Sequence, residues 1–186
     1  FRDAGATTFG IEPTGACADA AAGGHTVFND FLDERVAALF VARHGQPDVI
    51  TFTNVFAHIE DLKAVLRSLK ILCAPTTVLV IENHYLGAVL EKHQFDTFYH
   101  EHPRTYSYRS FVSIAEALGM FIAKAEFPSR YGGNIRVFMQ QAASAGAHDR
   151  QAEMADREKS FGRDLQGMKA AIATWKVRKL AEIEAE

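Results

Sequence analysis

Cysteine is scarce in this chain: Cys17 and Cys73 are the only two in 186 residues, far apart and without a Cys-x-x-Cys spacing. That argues against a disulfide framework and against a cysteine-rich zinc site, and a reducing, cytoplasmic home is expected. Long apolar runs are missing as well. No stretch approaches the roughly 18 residues that a membrane-spanning helix needs, and no signal-peptide pattern is read. Massed positive charge is the third absence. The 20 Lys and Arg are scattered against 23 Asp and Glu, for a net charge of -3. A surface that tracks phosphates needs basic residues on one face, so neither nucleic acid nor an anionic membrane is an expected partner. Small anionic substrates need only a few local Arg or Lys and stay open. What is present, 48% hydrophobic and 23% charged residues, suits one globular domain with a proper core. The chain begins at Phe1 rather than Met and runs at once into what reads as a helix end, so a piece of a longer protein is expected.

Periodicity supplies the organisation. Thr7 to Glu12 is a short β-prone run closed by Pro13, which cannot continue a ladder. Residues 14 to 23 are small and Ala-rich, and His25 to Phe28 is a second short strand. A helix from Asp33 to Arg43 ends at His44-Gly45. Asp48 to Thr53 is nearly all apolar, as a strand buried on both faces would be. Glu60 to Leu72 carries a helical stripe of Leu62, Val65, Leu66, Leu69 and Leu72. Thr76 to Glu82 is another buried strand. Short helices follow at Tyr85 to Lys92 and Ser110 to Leu118, the latter ended by Gly119. Met120 to Phe127 and Asn134 to Gln140 then form an antiparallel closing pair. This rhythm is that of a doubly wound α/β sheet with an antiparallel edge. Ala142 to Ala147 reads as a linker, and Asp149 to Glu186 as one long amphipathic helix with Phe161, Leu165, Met168, Ile172, Trp175, Leu180 and Ile183 available for packing.

Four places carry residues with chemistry. Glu12 ends a strand, where an acid accepts two ribose hydroxyls in nucleoside-binding sheets; a turn acid or helix cap is the plain alternative. Asn54 and Val55, with His58 nearby, follow the 48–53 strand at the edge where such sheets hold ligands. Equally, Asn54 caps the next helix and His58 is an ordinary edge histidine. The run Phe95-Asp96-Thr97-Phe98-Tyr99-His100-Glu101-His102 is the densest cluster. Imidazole is poised near neutral pH and a phenol O–H donates to a developing oxyanion, so it makes an acid–base set. A metal site or a purely structural cluster are the rivals. The spacing of His100 and His102 does not match the His-Glu-x-x-His helix signature, and no metal is expected. Finally, Gly132-Gly133 before Asn134 reads as a hairpin turn, or as backbone that lets a substrate approach.

Taken in order, Gly10-Ile11-Glu12-Pro13, Asn54-Val55-Phe56-Ala57-His58-Ile59, Gln94-Phe95-Asp96-Thr97-Phe98-Tyr99-His100-Glu101-His102 and Gly132-Gly133-Asn134-Ile135-Arg136-Val137 resemble the sugar C-methyltransferase family. The resemblance runs from about Gly5 to Met139. Members methylate C-3 of nucleotide-linked 4-keto deoxysugars on a Rossmann-like class I sheet that binds S-adenosylmethionine, with S-adenosylhomocysteine as product. The resemblance implies that Glu12 holds the cofactor ribose and that Asn54 and Val55 line its cleft. It places the catalytic work on His102 as base, on Tyr99 and His58 as partners of the enolate, and on Glu101 as a positioning acid. His100, Gly132, Gly133 and Asn134 are the expected substrate contacts.

The chain departs from that family in places. The cysteine-rich zinc domain that usually opens members is absent, so zinc is not expected in this chain. The first strand with its glycine-rich loop, and the glycine-rich C-terminal domain, are also absent. Pro103-Arg104-Thr105-Tyr106-Ser107 stands where a serine–aromatic pair is usual, and Asn83-His84-Tyr85 replaces a proline-bearing turn. The expected organisation is therefore a catalytic core over 1–141, lacking its first strand, followed by linker and helix over 142–186. The alternatives are a methyltransferase for another small acceptor, or a non-catalytic fragment or interaction domain. The sequence leaves the oligomeric state open.

Overall fold

The computed structural model describes residues 1–141 and 147–185. The chain divides into two compact units, Phe1–Pro47 with Asp61–Ala74, and Asp48–Glu60 with Pro75–Glu186.

In the first unit, β1 (Phe9–Ile11) and β2 (Thr26–Phe28) pair in parallel, with Phe9 opposite Thr26 and Ile11 opposite Phe28. Between them lies the Ala-rich α1 (Ala16–Ala22), whose small side chains let it sit against β2. The Asp33 side chain accepts from Val36 N at 2.7 Å to start α2 (Glu34–His44), and Gly45, at φ 77, ends it. Asp61 does the same for Ala64 N at 2.9 Å, starting α3 (Leu62–Leu72). The helical stripe read from the sequence is the buried face of α3, through Val65, Leu69 and Leu72. α2 and α3 pack together, and Arg67 Nε donates to Glu34 Oε2 at 2.8 Å across them. Phe40 of α2 sits edge-on to Phe9, 5.1 Å between centroids, so the helix pair is anchored to the small sheet by aromatic packing.

The second unit holds a four-stranded sheet in the order β3 (Val49–Thr53), β4 (Val78–His84), β6 (Asn134–Gln140), β5 (Phe121–Glu126). β3 runs parallel to β4, while β6 is antiparallel to both β4 and β5, so the closing pair is as the sequence predicts. β3 differs from expectation. Its residues alternate between exposed and half-buried, with Val49 47% exposed, because β3 is the edge of this sheet and pairs only with β4 there. β4 lies inside, and its Leu79 and Ile81 are fully buried. After β4 come α4 (Leu86–Glu91) and α5 (Tyr108–Leu118). α5 opens two residues before the predicted start, on a capping box in which Ser107 and Ser110 satisfy each other's backbone N–H. Its Phe111, Ile114 and Leu118 are buried, and α5 packs on β5 and β6.

The single C-terminal helix expected from Asp149 is two helices, α6 (Ala147–Arg157) and α7 (Phe161–Glu184). At the break, Glu158 turns inward and its carboxylate accepts from Tyr108 N at 2.6 Å and Arg109 N at 3.0 Å at the start of α5. Tyr85 Oη donates to the same carboxylate at 3.2 Å. Of the apolar side chains available on α7, Met168 is buried, whereas Trp175, Leu180 and Ile183 are 40%, 59% and 69% exposed. Of the linker predicted over 142–147, residues 142–146 lie outside the described residues, and Ala147 opens α6 instead.

Candidate active site

The C-terminal ends of β3 and β4 frame an open cleft of about 270 Å³ in the second unit, lined by Asn54, Ala57, His58, Asn83, His84, His102 and Tyr131. Asn54 directly follows β3 and holds a left-handed backbone (φ 54), a conformation Asn adopts more readily than most side chains. Its N–H donates to Glu82 O at 2.8 Å, extending the β3–β4 ladder by one bond. Asn54 caps no helix: its Oδ1 accepts from Asn134 Nδ2 at 3.2 Å, and the cap of α3 is Asp61. The chain then turns through a 3₁₀ segment, Phe56–His58, that carries His58 to the cleft.

Behind the cleft lies a buried charge cluster that the sequence did not announce. Glu82, at the end of β4, has a side chain only 2% exposed. It accepts from Arg130 Nε at 2.5 Å, Arg136 Nε at 2.6 Å and Asn134 Nδ2 at 2.8 Å. Burial pushes its pKa up, but these hydrogen bonds and the guanidinium charge outweigh it and hold the carboxyl at about 2. The amide of Asn134 thus bridges Glu82 to Asn54, which ties the cluster to the cleft wall.

The imidazoles form the cleft's chemical face. His102 Nδ1 lies 3.1 Å from the Thr97 carbonyl oxygen, which can only accept, so Nδ1 carries the proton. Nε2 then presents its lone pair, and Tyr99 Oη sits 3.1 Å from it as donor. The His58 and His84 rings stand 4.6 Å and 5.7 Å from the His102 ring, both edge-on. Burial lowers the pKa of half-buried His84; His102 and His58 push the same way, against Asp96. Asn83 completes this wall at 1% exposure: its Oδ1 faces Ala57 N at 3.4 Å, and its Nδ2 has no hydrogen-bond partner among the described residues. At the mouth, Tyr131 is 66% exposed on a left-handed backbone (φ 54), its ring 6.3 Å from His84.

Of the predicted site residues, the fold brings Asn54, His58 and His102 to the cleft directly, and Tyr99 through its bond to His102. Glu101 and His100 lie outside the lining, with side chains 60% and 89% exposed and 3.8 Å apart. Val55 is 47% exposed and does not line the cleft. The Gly132-Gly133 pair, with φ 83 and 133, makes room for protein rather than for a ligand. A Cβ on Gly132 would meet Gln94 Nε2 at 1.8 Å, and one on Gly133 would meet Ala88 Cβ at 2.6 Å. Asn134 is buried; its Nδ2 is committed to Glu82 and Asn54, while its Oδ1 has no hydrogen-bond partner among the described residues. In the first unit, Glu12 follows β1 and accepts from Thr14 N at 2.8 Å, which with the Thr14 side chain holds its pKa low. Missed were Glu82, Asn83, His84 and Tyr131. Asn83-His84 closes β4 much as Asn54 follows β3, and that parallel was the available signal. Among the described residues, no three His, Cys, Asp or Glu side chains are grouped to hold a metal ion.

A methyltransferase domain family matches residues 1–123. The chain belongs to that family. Over 167 residues it is 33% identical to the C-methyltransferase NovU of Streptomyces niveus, covering 87% of this chain and 39% of that protein. The chain therefore spans about two fifths of that relative's length. Magnesium protoporphyrin IX methyltransferase from Synechocystis PCC 6803, solved with bound S-adenosylhomocysteine, superposes with a TM-score of 0.56 at 17% identity, over 75% of this chain and 66% of that one. The fold is the class I Rossmann-like methyltransferase fold, with the long α7 at its C-terminal end.

Proposed function

We propose that this chain is the catalytic part of an S-adenosylmethionine-dependent C-methyltransferase, acting on the carbon α to a ketone of a small acceptor, with nucleotide-linked deoxysugars as the favoured class. The likeness to a C-methyltransferase supports the reaction type, and one observation carries the mechanism. His102 offers an unprotonated Nε2 that is oriented by Thr97 and paired with a phenol.

A carbon next to a ketone is too weak an acid for a lone imidazole, so the base must act together with donors at the oxygen. Nε2 of His102 has one lone pair, so the Tyr99 O–H leaves it for the ketone oxygen when substrate enters, and Nε2 then accepts the α-proton. The His58 ring stands 4.6 Å from that of His102. When bound, the cofactor supplies an electrophilic methyl for the enolate carbon. Asn54, after β3, is a group suited to its nucleoside end, since strand ends of this fold hold such ligands.

Two measurements test the reading. Calorimetry with S-adenosylhomocysteine should show binding, and a nucleotide-linked 4-keto-6-deoxysugar in D₂O should take up deuterium at its α-carbon. Cofactor binding with methyl transfer to oxygen or nitrogen acceptors, and no such exchange, would replace the carbon acceptor by another. Absence of cofactor binding would reduce this chain to a non-catalytic part.

A further inference from the structure

The resemblance assigns Tyr99 and His58 to the ketone oxygen, and in this structure Tyr99 Oη donates to His102 Nε2 instead. His102 Nδ1–H is committed to Thr97 O throughout. On the β4 side of the same cleft stand two groups that neither the resemblance nor the mechanism above uses. We propose that the end of β4 is the oxygen-binding element of the acceptor site: an N–H of the His84 ring and Nδ2 of Asn83 donate to the ketone oxygen beside the carbon that is methylated. This inference rests on the α-ketone reading.

Asn83 carries the first part. Only its oxygen can face the Ala57 N–H, which fixes the orientation of the amide and leaves Nδ2 as the unengaged end. Nδ2 is buried and has no hydrogen-bond partner among the described residues. A buried donor without an acceptor costs stability, and such groups cluster where a ligand supplies the missing partner. An oxygen is that partner by chemistry, because an amide N–H has nothing to offer a cation or a methyl group.

His84 carries the second part. No protein group among the described residues hydrogen-bonds its ring, yet it is half-buried at the cleft, 5.7 Å from His102. Its lowered pKa leaves it neutral near pH 7. A neutral imidazole has one N–H to give and does not repel the imidazolium that forms on His102. Successive strand residues normally point to opposite faces. Both reach this cleft because it lies over the end of β4 rather than on one face.

The experiment uses the full-length protein with S-adenosylhomocysteine and a nucleotide-linked 4-keto-6-deoxysugar in D₂O. His84→Phe and Asn83→Leu should each slow exchange at the α-carbon, and methyl transfer with the active cofactor, by about 100-fold, the loss typical of one oxyanion donor. Affinity for S-adenosylhomocysteine should stay within about twofold. His84→Gln, which restores a donor, should recover at least about tenfold over His84→Phe. Asn83→Asp keeps an acceptor for Ala57 N–H but turns an oxygen toward the ketone, and should be as slow as Asn83→Leu. In the unaltered protein, the Asn83 side-chain amide proton should move downfield when the keto sugar saturates the site. Wild-type exchange that His84→Phe and Asn83→Leu leave within threefold overturns the oxygen site, as does an unmoved Asn83 amide. A wild-type protein that binds S-adenosylhomocysteine but exchanges nothing overturns the α-ketone reading instead.

Discussion

Removing the charge of Glu82 is the sharpest test of how the cleft is held together. Glu82→Gln keeps the shape of the side chain but replaces one acceptor oxygen by a donor that must face Arg130, Arg136 or Asn134. A carboxyl held at about 2 rather than 4.5 has its charged form stabilised in the folded chain. At about 1.4 kcal/mol for each tenfold change in proton affinity, that amounts to up to about 3 kcal/mol. The Arg130 and Arg136 side chains are 46% and 32% exposed, so water screens part of it and about 2 kcal/mol is the expected loss at pH 7. The pH dependence has a fixed sign. Because the folded pKa lies below the unfolded one, the contribution is complete above about 4.5 and is lost as pH falls toward 2. Native-state hydrogen exchange of the β4 and β6 amides reads this unit directly. The gap between wild type and Glu82→Gln should be constant from pH 6 to 8 and should shrink by pH 3. A variant as stable as wild type at pH 7, or a gap that does not narrow on acidification, would refute the account of Glu82 as a paired, permanently charged group.

Other substitutions probe separate links. His102→Ala and Tyr99→Phe should abolish methyl transfer, with losses of about 100-fold or more, while calorimetry with S-adenosylhomocysteine stays near wild type; near-normal turnover of His102→Ala would remove the base assignment. Gly133→Ala places a methyl 2.6 Å from Ala88 Cβ at φ 133, and should lower the melting temperature in keeping with a cost of about 2 kcal/mol from strain and overpacking. Glu158→Ala leaves the first N–H groups of α5 without their carboxylate and should cost about 1–2 kcal/mol in urea unfolding, the range of a lost helix cap.

The sheet was legible because its signals are local. The run 48–53, the run 76–82 and the closing pair each announce themselves by composition, and Asp33, Gly45 and Gly119 mark helix ends by chemistry that acts within four residues. The histidine-rich cluster was legible for a similar reason: Tyr99 and His102 lie three apart, so a single turn brings their side chains together. Long-range orientation was not legible. Asn134 was expected to touch substrate, but its amide is claimed by Glu82, 52 positions away, and by Asn54, 80 positions away. Gly132 and Gly133 looked like open backbone and are instead the space into which Gln94 and Ala88 pack. At the break between α6 and α7, Glu158 likewise meets the N–H groups of α5, 50 residues away. Edge status defeated the reading of β3 in the same way, since an apolar run does not say how many neighbours its strand will have.

The two polar groups at the end of β4 also depend on each other. Glu82 and His84 are two residues apart in a strand and therefore share a face, so an uncompensated carboxylate there would raise the pKa of the imidazole. The groups that do bear on His84 are its burial, His102 and His58, which lower the pKa, and Asp96, which raises it. Glu82 carries its charge paired with Arg130 and Arg136. Removing one guanidinium should therefore show at His84. Arg130→Leu leaves Glu82 with Arg136 alone, whose Nη1 also serves Glu126 at 3.0 Å, and some negative charge then faces the strand end. The His84 pKa, followed by NMR titration of its ring protons, should rise toward the ordinary histidine value by several tenths. The His58 and His102 titrations serve as internal controls for a general loss of structure. A His84 pKa that stays where it was, or falls further, would mean that burial alone sets its protonation and that the arginine pair serves packing only.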